Sequence, residues 1–156
     1  MKVEFWVIGK TSEKYLEEGT GIFEKRLHNY LPFKYIVLPD IKSKSRVAQQ
    51  LKMEEGRMIL SKLSSDDYLV LLDERGNEFD SISLATWMEK KLSGPGKKMI
   101  FLVGGAFGFS EELYKRANEK IALSKLTFSH QMVRLFFLEQ LYRAMTILKN
   151  EPYHNE

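Results

Sequence analysis

Apolar and polar positions fall in blocks along this chain rather than alternating residue by residue. Five short runs are almost wholly apolar: residues 3–8, 33–38, 68–72, 99–103 and 121–123. Unbroken apolar runs of this length predict strands buried on both faces. The segments between them carry apolar residues at helical spacing. In the first, Tyr15, Leu16, Ile22, Phe23 and Leu27 form one side while Glu24, Lys25 and Arg26 face outward. Ser12 is the expected N-cap there, and Gly19 and Gly21 predict an irregular stretch, because glycine weakens a helix interior. Helices are expected over residues 47–63, from a cap at Ser81 or Ser83 to Leu92, briefly after Ser110, and over 130–149. Ser110 followed by Glu111 and Glu112 reads as an N-cap with acidic first-turn residues, which favour the positive end of the helix dipole.

The punctuation agrees with this division. Pro32, Pro39-Asp40 and Ser93-Gly94-Pro95-Gly96 are stops, Asp73-Glu74-Arg75-Gly76 follows the third strand, and Gly104 opens a glycine-rich turn after the fourth. Strands alternating with helices predict an α/β fold with a mostly parallel sheet and helices on both faces. No repeat, low-complexity stretch or linker divides the chain, so residues 1–156 are taken as one domain.

The last helix is apolar around nearly its whole circumference, through Met132, Val133, Leu135, Phe136, Phe137, Leu138, Leu141, Tyr142, Ala144, Met145, Ile147 and Leu148. A surface helix needs one apolar stripe. A helix apolar all round takes either a very central place or a second partner, and a homodimer interface is expected on its outer side. Arg134, Glu139 and Arg143 interrupt the apolar surface, with Glu139 and Arg143 spaced to pair.

Composition narrows the chemistry. The chain has 156 residues, 44% of them apolar, and no cysteine. That leaves room for a substantial core and removes disulfides, thiolate metal sites and cysteine nucleophiles. His28, His130 and His154 lack ligand-like local spacing, so no metal site is expected. No apolar run approaches the ~20 residues a membrane helix needs, and the N-terminus lacks a signal-peptide pattern; a cytoplasmic location is expected. The net charge of +3 is a mild basic bias that permits a nucleic-acid partner. Lys42, Lys44 and Arg46 sit in a basic stretch that is either a solvated loop or a phosphate-contacting arm.

In open parallel sheets, ligands bind at the carboxyl ends of the strands. Three such ends stand out: Leu72-Asp73, Gly104-Gly105 and residues 123–128. Gly-Gly-x-x-Gly by itself describes a tight turn. It is not the Gly-x-Gly-x-x-Gly dinucleotide fingerprint, no Walker motif is present, and there is no Gly-x-Ser-x-Gly elbow. From the residues alone the chain is a cytoplasmic α/β protein that binds a small molecule with backbone-rich loops.

Four ordered segments carry a resemblance. They are Phe101-Leu102-Val103-Gly104-Gly105-Ala106-Phe107-Gly108, Leu123-Ser124-Lys125-Leu126-Thr127-Phe128-Ser129-His130-Gln131, Leu138-Glu139-Gln140-Leu141-Tyr142-Arg143-Ala144 and Pro152-Tyr153-His154. With Val7-Ile8-Gly9-Lys10 and Leu71-Leu72-Asp73, this set resembles the ribosomal large subunit methyltransferase H family, small SPOUT-class enzymes that methylate N3 of a pseudouridine in 23S rRNA. The resemblance runs end to end. It implies a C-terminal trefoil knot, a homodimer, and S-adenosylmethionine as methyl donor. Carried over by position, Leu72, Gly104, Leu123, Ser124, Lys125, Leu126, Thr127 and Phe128 would contact that cofactor. Ser129 stands where the family commonly has proline, and Ala106-Phe107 fills the glycine turn with bulk.

Under this resemblance, His130, Arg143, Tyr153 and His154 are expected to bind substrate and stabilise charge. Each also has a plainer role: His130 as a cap of the last helix, Arg143 as the partner of Glu139, and Tyr153 and His154 as part of a loose tail. RNA contacts are expected at Lys42, Lys44, Arg46, Lys115, Arg116 and Lys125. With no separate RNA-binding domain, the expected substrate is the assembled ribosome, whose preformed shape the enzyme would read. Two other functions fit the same fold: a non-catalytic ribosome-binding or assembly factor, and methylation of tRNA.

Overall fold

The computed structural model describes residues 1–41 and 47–155. The basic stretch of Lys42, Lys44 and Arg46 therefore lies outside the described residues. Five strands form one sheet: β1 (Lys2–Ile8), β2 (Phe33–Leu38), β3 (Tyr68–Glu78), β4 (Lys98–Leu102) and β5 (Glu119–Ala122). Their order is β2-β1-β4-β3-β5 and every pairing is parallel. Among the described residues, five helices cover the sheet: α1 (Lys14–Leu27), α2 (Ala48–Lys62), α3 (Ser81–Leu92), α4 (Glu111–Arg116) and α5 (Met132–Leu148).

Both faces of the sheet are buried, which is why its strands read as continuous apolar runs. Val3, Phe5 and Val7 of β1, with Met99 and Phe101 of β4, face a core completed by Leu27 of α1, Met88 of α3 and Phe137, Leu138 and Leu141 of α5. Trp6, Ile8, Leu69, Leu71, Ile100 and Leu102 face the other side, against Ile59 of α2 and Leu113 of α4. The α/β architecture agrees with the pattern of the sequence. The central place of α5, between α1 and α3, accounts for much of its apolar girth. Phe136 on its outer side remains 41% exposed. Among the described residues, no helix is long and apolar enough to cross a membrane.

Three local expectations are corrected. The cap of α1 is Glu13, without a side-chain bond, and the Ser12 N–H instead donates to Gln131 Oε1 at 2.9 Å. The helix passes unbroken through Gly19 and Gly21; at Gly19 a Cβ would stand 2.9 Å from Leu135 Cδ1, so the glycine lets α5 pack close. The cap of α3 is Asp80, whose Oδ1 accepts from the Ser83 N–H at 2.7 Å, not Ser81 or Ser83.

The largest difference concerns β3. It does not stop at Leu72 but continues to Glu78. Leu72 and Asn77 both align with Ile121 of β5, so residues 73–76 form an excursion between two stretches of pairing. Gly76 makes the return possible. A Cβ there would lie 2.6 Å from the Ile121 nitrogen and the Lys120 carbonyl carbon, closer than any side chain tolerates. The excursion projects Asp73, Glu74 and Arg75 from the carboxyl end of the sheet.

Candidate functional site

Parallel strands place all their carboxyl ends on one side, and a cleft of about 990 Å³ lies there, at the ends of β4, β3 and β5. That volume suits a nucleoside-sized ligand. Its wall includes Leu72, Gly104, Leu123, Ser124, Leu126, Thr127, Phe128 and His130. Seven of the eight expected cofactor residues are thereby gathered in one place, with His130 beside them. Lys125 is not. Its side chain is 85% exposed and its Nζ lies 3.8 Å from Glu78 Oε1.

Each wall is held by short-range bonds. Ser124 Oγ accepts from the Leu126 N–H at 2.9 Å, curling the loop, and Thr127 Oγ1 bonds to the Glu74 carboxylate on the excursion. The glycine turn closes through the Gly108 N–H to the Gly105 carbonyl at 3.1 Å. Arg134 is buried, and its guanidinium donates to Ile8 O at 2.7 Å, Gly9 O at 2.8 Å, Thr11 Oγ1 at 3.2 Å and His130 O at 3.1 Å. This ties the end of β1 to the start of α5 and fixes the backbone of His130. His130 itself does not cap α5. The cap is Gln131, and the Met132 N–H bonds to Ser129 Oγ at 3.0 Å.

A charged group lines the mouth of the cleft on the excursion side. The Tyr114 hydroxyl donates to Asp73 Oδ2 and accepts from Arg75 Nη2 at 2.7 Å, while the Arg75 N–H donates to Asp73 Oδ1 at 2.9 Å. Burial pushes the Asp73 carboxyl up, but the Tyr114 and Arg75 bonds with the Arg75 and Lys120 charges leave it below its ordinary range. The sequence pattern gives no sign of Glu55 of α2. Its Oε1 accepts from the Gly105 N–H at 3.1 Å. Burial raises its pKa, the Gly105 bond opposes that, and Asp40 adds to the rise. The contacts of Tyr114 with Asp73 and Arg75 and of Glu55 with Gly105 join residues 39 to 50 positions apart, and no local spacing announces them.

Arg143, Tyr153 and His154 meet at the far end of α5. Glu139 Oε1 accepts from Arg143 Nη2 at 2.7 Å and from the Tyr153 hydroxyl at 2.9 Å. Arg143 Nη1 lies 3.0 Å from His154 Nδ1, and its guanidinium covers the Tyr153 ring at 4.8 Å. The i,i+4 pairing of Glu139 with Arg143 thus forms, and it also organises the tail. Because an arginine only donates, His154 Nδ1 accepts and the imidazole carries its proton on Nε2. Burial raises the Tyr153 pKa, and the hydrogen bond to Glu139 raises it further, so the phenol keeps its proton. From Met132 to Arg143 is roughly 16 Å along the helix axis, so within one chain this cluster stands well apart from the cleft and His130.

Of the other basic residues, Arg116 donates to the carbonyls of Ser64 and Asp67, both at 2.9 Å. It braces the amino-terminal end of β3, at the opposite end of the strand from the cleft. Lys115 is exposed. Among the described residues, no group of histidine and carboxylate side chains is arranged to hold a metal ion.

Comparison with known proteins gives a concordant result. A family model described as "Predicted SPOUT methyltransferase" matches residues 1–154. A ribosomal RNA large subunit methyltransferase H from Parabacteroides distasonis is 54% identical over 157 residues, covering 100% of both chains. The protein of that name from Cytophaga hutchinsonii is 53% identical over 155 residues, covering 99% of this chain and 100% of the relative. The one from Christiangramia forsetii is 51% identical over 156 residues, covering 99% of each.

Proposed function

The chain belongs to the SPOUT methyltransferase family, and from that premise we propose that it transfers a methyl group from S-adenosylmethionine to N3 of a pseudouridine in 23S rRNA. The observation that carries this reading is the cleft: one cavity of fitting size gathers Leu72, Gly104 and most of the 123–128 loop at the strand ends. The relatives, named as large-subunit rRNA methyltransferases, support the substrate. The reaction then belongs on the ribosome in the cytoplasm, and the family's trefoil knot belongs to the C-terminal part of the chain.

The cleft fits the cofactor by its donor set. Leu72, Val103, Leu123 and Phe128 supply apolar surface, and the loop backbone at Gly104 and at residues 123–128 supplies hydrogen-bonding groups. When bound, the sulfonium supplies an already activated methyl group. The protein's task is to align the nucleophile, exclude water and favour loss of the N3 imide proton. His130, fixed through Arg134, faces the cleft. The tail cluster presents the donors of the Arg143 guanidinium, held beside Glu139, His154 and the Tyr153 ring. Donors of this kind stabilise the negative charge of a deprotonated imide, so charge stabilisation rather than proton abstraction is the role assigned to Arg143, Tyr153 and His154.

Because cleft and cluster stand apart within one chain, the active unit is a homodimer in which the tail of one protomer completes the cleft of the other. The exposed Phe136 and the half-buried remainder of the outer face of α5 supply apolar surface for that contact. Calorimetric titration with S-adenosylmethionine tests the cofactor assignment: saturable binding is expected, and absence of both heat and thermal stabilisation would favour a non-catalytic ribosome factor. Single-turnover methyl transfer by Tyr153→Phe and His154→Ala tests the tail. Both are expected to slow transfer on intact ribosomes by about tenfold or more, and wild-type rates in both would remove the tail from the site.

A further inference from the structure

We propose that Glu55 is a positioning residue for methyl-donor binding: its carboxylate clips the Gly105 N–H and holds the glycine turn in the shape that walls the cleft. This rests on the S-adenosylmethionine reading above. Helix α2 meets the cleft through Gln49 and Lys52, and Glu55 is the next residue on that helical face. Its Oε1 accepts the Gly105 N–H at 3.1 Å, linking positions 50 apart in the chain. The fit is close: a Cβ on Gly105 would stand 2.6 Å from Glu55 Oε2 and 3.0 Å from Oε1. Glycine is therefore what lets the carboxylate reach the backbone. The adjoining Gly56 is buried with the Ser110 side chain directly over it, and Ser110 Oγ caps α4 by accepting from the Leu113 N–H at 3.3 Å. Helix α2 thus grips both ends of the segment from Gly105 to Ser110.

A grip is needed there because of composition. Gly104, Gly105 and Gly108 fall within five positions, so this segment loses much conformational freedom when it is ordered. At its tip Phe107 is 52% exposed and provides no anchor in the core. A charge-assisted bond from a half-buried carboxylate orders the turn before the ligand arrives, and pre-organisation of a binding wall appears as affinity. Glu55 touches the turn and not the reacting atoms, so its loss acts on donor binding rather than on transfer.

The experiment compares wild type, Glu55→Ala, Glu55→Gln and Gly105→Ala in calorimetric titration with S-adenosylmethionine, and in steady-state methylation of ribosomes, after circular dichroism at a temperature below unfolding. Glu55→Ala is expected to weaken donor binding about tenfold, the effect of one charge-assisted hydrogen bond. KM for the donor should rise in step, while kcat at saturating donor stays within about twofold, the signature of lost ground-state binding. Glu55→Gln, whose amide oxygen accepts the same N–H, should recover most of the affinity. Gly105→Ala, which pushes the carboxylate away, should weaken binding as Glu55→Ala does, and adding it to Glu55→Ala should cost little more. Folded Glu55→Ala or Gly105→Ala proteins binding the donor like wild type would overturn the proposal, as would a fall confined to kcat or a Gln variant no better than Ala. Absence of binding by wild type would overturn the methyl-donor reading itself, and this proposal with it.

Discussion

Arg134 shows how a single side chain connects sequence to site. It interrupts an apolar helix face, yet it is buried and donates to the Ile8, Gly9 and His130 carbonyls and to Thr11. Arg134→Met keeps much of the volume and leaves those carbonyls without a donor. The expected cost is on the order of 3 kcal/mol in urea unfolding, with weaker donor binding because His130 and the start of α5 lose their tether. Glu119 makes a second test at this scale. Its carboxylate accepts from the Tyr68 hydroxyl and from Trp87 Nε1 at 3.3 Å, with Lys91 Nζ 3.0 Å away. Burial pushes its pKa up, but these bonds and the lysine bring it below the ordinary range. A carboxyl depressed in the folded state stabilises above its unfolded pKa and loses that contribution as pH falls through the folded value. Glu119→Gln should therefore cost about 1–3 kcal/mol at pH 7. The gap to wild type should close in urea unfolding as the pH falls below about 4, the ordinary glutamate value.

At the scale of elements, Gly76 is the informative position. The return of β3 onto β5 brings the backbone within 2.6 Å of where a Cβ would stand. Gly76→Ala should destabilise the fold by about 1–3 kcal/mol by overpacking and misplace the excursion that carries Asp73 and Arg75; denaturant unfolding beside donor titration checks both effects. The same element marks the reach of the sequence pattern. Residues 33–38 were legible to the residue as β2, because five of the six are apolar or aromatic and Pro32 and Pro39 bound them, although in this edge strand only Phe33 and Leu38 are buried. Residues 73–78 were not legible as strand, because they are polar and rejoin the sheet only through a register shift. Ser110 caps α4 as expected, whereas the caps of α1 and α3 were displaced by one to three positions for a related reason. Asp80, Ser81 and Ser83 are all competent capping types, and only the path of the chain selects among them.

For the whole molecule, the strand ends expected to bind ligand do share one cleft, since a parallel topology sends every carboxyl end the same way. What pattern did not disclose is distance. His130 was grouped with Arg143, Tyr153 and His154, whereas they stand at opposite ends of α5. The pairing of Glu55 with Gly105 and of Tyr114 with Asp73 and Arg75 is not legible in the sequence, because the partners lie 39 to 50 positions apart. A homodimer with composite sites can be tested by complementation. A protomer carrying an inactivating cleft substitution, mixed with one carrying His154→Ala, should regain activity, with about one composite site intact per heterodimer. Failure to regain activity after verified subunit exchange would place the tail in its own protomer's site.

The central claim is methyl transfer to a ribosomal pseudouridine. Its most direct measurement is mass spectrometry of nucleosides from 23S rRNA, after incubating the protein and isotope-labelled S-adenosylmethionine with ribosomes from a strain lacking the corresponding gene. Labelled 3-methylpseudouridine is expected in 23S rRNA, appearing only when the protein is present. Ribosomal RNA that stays unlabelled, or label confined to tRNA in the same preparation, would contradict it.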